Sequence, residues 1–279
     1  MHYHEIPPQS PLNSFVECFW TLESDGPSPA AAPERILPDG CIELILNFGE
    51  RFSQHTDNHR ELQPRHFVVG QMSGPILISP TGPVQLLGIR FHPGGTLPFL
   101  RVRMSELTDR LTELGDLSRE LERELLDICE DRASLAEKTN AVEVALMTRL
   151  VRGSYDPSAM RLAARIVGSA GLVSIDQLAT EAGISSRQLE RRFMRDVGVG
   201  PKLLSRILRF QQVFRAVERV DPAWASIAVE CGYYDQAHLI RDFNQFAGQT
   251  PAVLFSQQTA LTEAFTRKAR TSHFSNTAL

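Results

Sequence analysis

The sequence predicts an α+β protein: a β-rich N-terminal half of sandwich or barrel type with flanking helices, then an all-α half of two helix-turn-helix units joined by a long helix. Three observations lead there. Short apolar runs punctuated by Pro and Gly fill residues 36–92, leucines recur at helical spacing after them, and a motif repeats itself beyond Pro157. The length of 279 residues suits two domains, since domains cluster near ~100–150 residues. The expected division is residues 1–152 for the first domain with its helical extension, 153–157 for a linker, 158–258 for the second domain and 259–279 for a flexible tail.

In chain order, Phe15, Phe19 and Trp20 belong to an N-terminal element, tied to the rest by the loop SDGPSPAAAP. CIELILNF after LPDG, then HFVVGQ, PILISP, and VQLLGIRF after PTGP read as strands, being short β-rich runs bounded by turn residues. The polar stretch Ser53 to Pro64 reads as a loop between strands. After the turn His92 to Gly95, Leu107, Leu111 and Leu114, then Leu117, Leu121, Leu125 and Ile128, mark one helix face. Val142, Val144, Ala145, Leu146 and Leu150 mark a second helix. Twelve acids against seven bases between Leu100 and Glu143 make these helices a poor nucleic-acid surface. They are expected to pack on the sheet, on the other domain or on a second copy.

The repeat is the most informative feature. IDQLATEAGISSRQLERRF ends at Phe193 and WASIAVECGYYDQAHLIRDF at Phe243. Ala179 stands four residues before Gly183, as Ala228 does before Gly232; Leu189 stands four before Phe193, as Leu239 does before Phe243. This is helix-turn-helix physics: a small residue lets two helices approach, Gly ends the first in a left-handed cap, and apolar residues anchor the second. Ser185 or Ser186 can cap the second helix of the first copy, and Asp235 that of the second copy. The second copy has one extra residue in its turn. Leu178, Ile184, Leu189, Phe193, Ile227, Leu239 and Phe243 are core by this periodicity. Between the copies, PKLLSRILRFQQVFRAVER opens with Pro201 in a favourable first-turn position. As nineteen helical residues it would span about 28 Å, approaching the ~34 Å repeat of the DNA duplex.

Charge agrees with that reading. The net charge of -4 conceals a stretch from Ser158 to Gln257 with 12 Lys+Arg against 9 Asp+Glu, and between Ser185 and Arg219 nine basic residues face three acids. Basic residues gathered on one segment of an acidic chain suit a phosphate-backbone partner. Other classes fit poorly. Cys18, Cys41, Cys129 and Cys231 lie far apart without a CxxC pairing, against both a zinc site and a disulfide scaffold. Cys41 is expected on a strand, and it and Cys231 are expected to be buried. His55, His59, His66 and His92 lack a convincing ligand spacing, so no metal, cofactor or catalytic residue is assigned. No apolar run approaches ~18 residues and MHYHEIPPQSP lacks a signal-peptide layout, so no membrane partner is expected and the cytoplasm is the expected location.

The segment GYYDQAHLIRDFNQFAGQTP closely resembles the C-terminal signature of AraC-type transcriptional regulators. The resemblance covers roughly Ser158 to Gln257 and rests on the Gly-Tyr, the helix ending in Arg-x-Phe and the Gly-x-Thr-Pro after it. ILPDGCIELILNFG, FVVGQ and GIRFHPGG look, more loosely, like the cupin-like sensor domain found ahead of such regions.

The resemblance implies that two helix-turn-helix units on a long helix bind two adjacent major-groove segments on one face of double-stranded DNA. Carried over position by position, Arg187, Glu190 and Arg191 of the first copy face the groove. Gln236, Ala237, Ile240 and Arg241 do so in the second. Arg suits guanine, Gln suits adenine, and Ala237 and Ile240 offer apolar contact to a thymine methyl. Glu190 is either a specificity element accepting from cytosine or a partner for a neighbouring Arg. His238 either contacts phosphate or makes a local hydrogen bond. Ser186, Lys202 and Arg206 are candidate backbone contacts that fix register. The implied function is sequence-specific transcriptional regulation without enzymatic activity, controlled by a small-molecule effector at the N-terminal domain, with RNA polymerase and a second copy as further partners. Trp20, Phe48 and Phe91 are expected in the core rather than in an effector pocket. The alternatives are a constitutive DNA-binding regulator whose N-terminal domain only dimerises, and a cupin-like enzyme.

Overall fold

A computed structural model describes residues 1–24, 33–56, 59–152, 155–217 and 223–256. The N-terminal half contains the strands β1 (His2–Ile6), β2 (Val16–Glu23), β3 (Glu34–Ile36), β4 (Ile42–Asn47), β5 (Phe52–His55), β6 (Arg60–Leu62), β7 (His66–Val69), β8 (Ile76–Pro80), β9 (Gln85–Phe91) and β10 (Leu111–Glu113), then the helices α1 (Leu114–Glu130) and α2 (Leu135–Arg152). The strands form two antiparallel sheets, ordered β1-β2-β9-β4-β7-β10 and β3-β8-β5-β6.

The larger sheet is buried on both faces, which is why its inner strands are apolar almost throughout. Leu44, Leu87 and Ile89 share one core with Leu121 and Leu125 of α1 and Val142 and Leu146 of α2. The helices therefore lie on the sheet. The alternate residues Trp20, Ile45, Phe67 and Leu86 share a second core with Phe52 of the smaller sheet. At the centre of β9, Gly88 leaves room for the Trp20 indole, because a Cβ there would fall 2.0 Å from it.

Several local expectations need correction. The polar stretch after Ser53 is a hairpin, with Ser53 opposite Leu62 and His55 opposite Arg60; its polarity reflects an edge position, where one face meets water. Leu107 and Leu111 are not helical. Leu107 closes a one-turn 3-10 helix over Met104–Glu106, Asp109 has φ 59°, and Leu111 opens β10. Their four-residue spacing imitates a helix face, but helix begins only at Leu114 and is interrupted by a kink at Ser118 (φ -162°, ψ 95°). Val144, expected with the apolar residues that mark the second helix, is exposed. Cys41 precedes β4 and is half-buried, with its thiol donating to a Glu17 carboxylate oxygen at 3.3 Å. Cys231 is buried.

The C-terminal half is helical: α3 (Ser158–Gly168), α4 (Ile175–Glu181), α5 (Ser186–Asp196), α6 (Pro201–Val217), α7 (Trp224–Glu230), α8 (Gln236–Ala247) and α9 (Pro251–Ser256). It has two cores. Ile166, Leu178, Leu189, Phe193 and Leu204 form one, with Ile184 half-buried against it; Phe210, Phe214, Ile227, Leu239 and Phe243 belong to the other. The long helix α6 serves both, through Leu204 near its start and Ile207, Phe210 and Val213 further on. Its 17 residues span about 26 Å. Most of SDGPSPAAAP, the start of the 153–157 segment, the end of the expected connector and the 259–279 tail lie outside the described residues. Among the described residues no helix is long and apolar enough to cross a membrane, and no three His, Cys, Asp or Glu gather as a metal site would require.

Candidate nucleic-acid interface and effector cavity

Each repeat is built from a short supporting helix, a glycine turn and a capped second helix. In the first, Ser174 caps α4, and α4 stops at Gly183, whose φ of +65° is the left-handed conformation that glycine adopts without strain. Ser185 then caps α5 in a reciprocal box: its hydroxyl accepts from the Gln188 N–H, and the Gln188 side chain accepts from the Ser185 N–H at 2.8 Å. Of the two serines, Ser185 is thus the cap, while Ser186 donates to the Asp176 carboxylate at 3.1 Å. In the second repeat Gly232 has φ +76° and Asp235 accepts from the His238 N–H at 2.7 Å. Ala179 and Ala228 are buried where the helices cross. Tyr233 folds inward as Ile184 does, and the extra residue of this turn, Tyr234, is 90% exposed. Sequence reasoning passed over Tyr234, although the one-residue difference between the repeats marks it.

The outer faces of both second helices are open. Arg187, Glu190 and Arg191 on α5, Gln236, Ala237 and Arg241 on α8, and Ser186 and Lys202 at the first turns of α5 and α6 are exposed. Four candidates make contacts within the protein. Glu190 lies on Gly200, where a Cβ would come within 2.1 Å of its Oε1; this places the carboxylate at the start of α6, which favours negative charge. Arg206 donates through Nη2 to Asp242 at 2.7 Å and to Gln245 at 2.6 Å, and its guanidinium covers the Phe246 ring. That is the geometry of a strut between α6 and α8. Ile240 is half-buried against the second core, and His238 packs edge-on to Tyr233 with ring centroids 5.1 Å apart.

A cavity lies between the two sheets. Trp20, Ile45 and Phe67 line it from the larger sheet, and Phe52, Ile76 and Ile78 from the smaller. Trp20, expected as plain core, is therefore part of its wall, whereas Phe91 is core and Phe48 packs against that core beneath Lys138. Four charged residues also line the cavity: Arg35, Asp39, Glu43 and Arg90. Arg90 is only 2% exposed. Its Nε donates to Glu43, the residue directly opposite it on β4, and lies 3.4 Å from Asp39 Oδ2. Burial alone would lower the pKa of Arg90, but Glu43 and Asp39 outweigh it and hold the guanidinium above its usual range. Its Nη1 makes no hydrogen bond among the described residues and lies 3.7 Å from a Glu5 oxygen. This cluster was legible in principle, as one Arg in VQLLGIRF and one Glu in CIELILNF are conspicuous in strands otherwise apolar.

The segment from Arg35 to Cys41 forms one wall of the cavity and touches the helical half from its other side. Arg35 donates to the Ala247 carbonyl at the end of α8 at 2.6 Å, and Gln211 of α6 donates to the Pro38 carbonyl at 2.5 Å. Leu37 is buried within the second helical core, and Gln211 itself reaches the cavity. Gly248, which ends α8 at φ +68°, admits the Arg35 guanidinium, which would stand 3.0 Å from a Cβ there. A second contact joins Thr108 to the Gly198 carbonyl at 2.7 Å.

The chain thus joins a cavity-bearing two-sheet half to two capped helix-turn-helix units. Residues 178–257 match the family described as a helix-turn-helix domain, and residues 4–113 match a family described as a domain of unknown function (DUF6597). The C-terminal half therefore carries a helix-turn-helix domain. No curated protein sequence matches the chain. Among solved structures, ToxT from Vibrio cholerae is similar at 10% identity over 86% of this chain and 99% of that one, with a TM-score of 0.44. ToxT bound to (E)-4-(8-methylnaphthalen-1-yl)but-3-enoic acid is 12% identical over 84% and 97%, with a TM-score of 0.45. Wild-type ToxT with bound unsaturated fatty acid is 11% identical over 85% and 93%, with a TM-score of 0.41.

Proposed function

We propose that the chain is a sequence-specific transcriptional regulator that reads two adjacent major-groove segments with α5 and α8 and takes a small-molecule effector between its two sheets. The observation that carries this reading is the placement of segment 35–41. It is at once the wall of the cavity and the partner of α6 and α8, so an occupant that shifts this wall acts directly on the second reading unit. Coupling of this kind requires only that the effector bind two arrangements of the segment unequally.

In this reading residues 1–152 form the effector domain and residues 158–258 the reader. Arg187, Arg191, Gln236 and Arg241 contact bases, Ala237 and the exposed edge of Ile240 meet thymine methyls, and Ser186 and Lys202 fix register on phosphates. Arg206 and Glu190 hold the reader in shape, and His238 supports the turn through Tyr233. The protein acts on DNA in the cytoplasm, catalyses no reaction, and has RNA polymerase and a second copy as its protein partners.

The test is selection from a randomised duplex library at fixed salt, with the full-length protein in parallel with an Arg191→Ala, Arg241→Ala variant. Salt is held constant because phosphate contacts alone make affinity fall steeply with ionic strength. Enrichment of a two-block motif about one helical turn apart, lost in the variant, is the expected result. A library that stays random with the wild-type protein, with and without ligand in the cavity, overturns the reading.

A further inference from the structure

Granting the effector reading, the charge arrangement of the cavity narrows the chemistry of its occupant. The charged residues of the wall comprise two arginines and two carboxylates, and each is already engaged. Arg90 faces Glu43 and Asp39, Asp39 also accepts from the Cys41 N–H at 2.9 Å, and Arg35 holds the Ala247 carbonyl. A third carboxylate, Glu5, stands 3.7 Å from Arg90. The wall is thus neutral as a set, and the acids around its deepest cation are in excess.

An anionic occupant would have to compete with Glu43, Asp39 and Glu5 for Arg90, and would bring a further negative charge beside them. A cationic one would have to draw Asp39 or Glu43 from Arg90 and leave that buried guanidinium unpaired. Either course breaks a buried ion pair, and the ligand's own charge must also be desolvated. An uncharged hydrogen-bond acceptor requires neither, and Arg90, which lines the cavity, holds in its Nη1 a buried donor that has no hydrogen-bond partner among the described residues. The remaining wall is mostly apolar, from Trp20 and Ile45 to Ile76 and Ile78, with the uncharged polar side chains of Asn47, Gln63 and Gln211 among them, and suits a largely hydrocarbon or aromatic body.

We infer that the cavity binds an uncharged, largely apolar molecule with one hydrogen-bond-accepting oxygen, a hydroxyl or carbonyl compound, in preference to a carboxylate or an amine of the same skeleton. The test is calorimetric titration of the full-length protein at neutral pH with three probes that share one chain: 1-decanol, decanoate and decylammonium. The alcohol is expected to bind at least about tenfold more tightly than either ion. In Asp39→Asn, which removes one acid while preserving the shape of the side chain, the margin over decanoate should narrow. Ile78→Trp, which fills the cavity, should abolish alcohol binding.

Decanoate or decylammonium binding as tightly as the alcohol overturns the assignment of an uncharged ligand and leaves the effector reading intact. Binding of none of the three overturns the effector site itself, and the inference with it. Alcohol binding that survives Ile78→Trp places the ligand elsewhere and overturns the inference in the same way.

Discussion

At Gly88 a side chain as small as alanine would meet the Trp20 indole at 2.0 Å, so Gly88→Ala forces the wall of the cavity to move. Overpacking of this kind costs about 1–3 kcal/mol, and denaturant unfolding should show a loss of that order. His66 provides a test by pH. Burial, with Arg65 beside it, pushes its pKa from 6.5 down to about 4. Between those values the unfolded chain binds a proton that the folded one refuses. The contribution of His66 to stability is therefore intact above pH 6.5 and is lost as the pH falls towards about 4. His66→Gln should flatten the urea midpoint across this window relative to wild type, and parallel slopes would contradict it. Individual residues were unevenly legible. The glycines of both turns could be assigned from spacing alone, because a left-handed cap is a local requirement. The roles of Arg206 and Glu190 could not, because Asp242, Gln245 and Gly200 meet them only after the helices have packed.

Among the elements, the two reading helices depend on their caps. Ser185→Ala removes the reciprocal box at α5, and Asp235→Ala removes the acceptor for the His238 N–H at α8. Each should cost about 1 kcal/mol, measured as a fall in the unfolding midpoint. Ser186→Ala, outside the box, should leave stability nearly unchanged; if it proves as costly as Ser185→Ala, the cap is misassigned. The helical half was readable as a sequence because its pattern occurs twice and each signal acts within four residues. In the β half, runs such as CIELILNF declared themselves, while the β5–β6 hairpin did not. Its β6 strand lies at the sheet edge with all its side chains exposed, and so the stretch looks like a polar loop. The misread helix start at Leu107 has a similar cause, since three leucines at steps of four and three satisfy a helix template whatever the backbone does between them.

At the scale of the molecule, the segment 35–41 links cavity and reader, and no periodicity in ERILPDGC announces it. The link exists only because folding brings Ala247 and Gln211 against residues far from them in sequence. Its removal gives a test of coupling. In wild type, saturating 1-decanol should change the DNA affinity; in Arg35→Ala, Gln211→Ala that ratio should approach one, and an unchanged ratio would show that the coupling runs elsewhere. The proposed reading faces are open, and each arginine that contacts a base should contribute about 1–3 kcal/mol of discrimination. The account's central claim is that two units read DNA side by side. It is tested most directly by hydroxyl-radical footprinting of the full-length protein on its selected duplex, beside Arg191→Ala and Arg241→Ala singly. The account predicts two protected stretches on one face of the duplex, about one helical turn apart, with Arg191→Ala weakening one and Arg241→Ala the other. A single protected stretch, or one lost equally to either substitution, would contradict it.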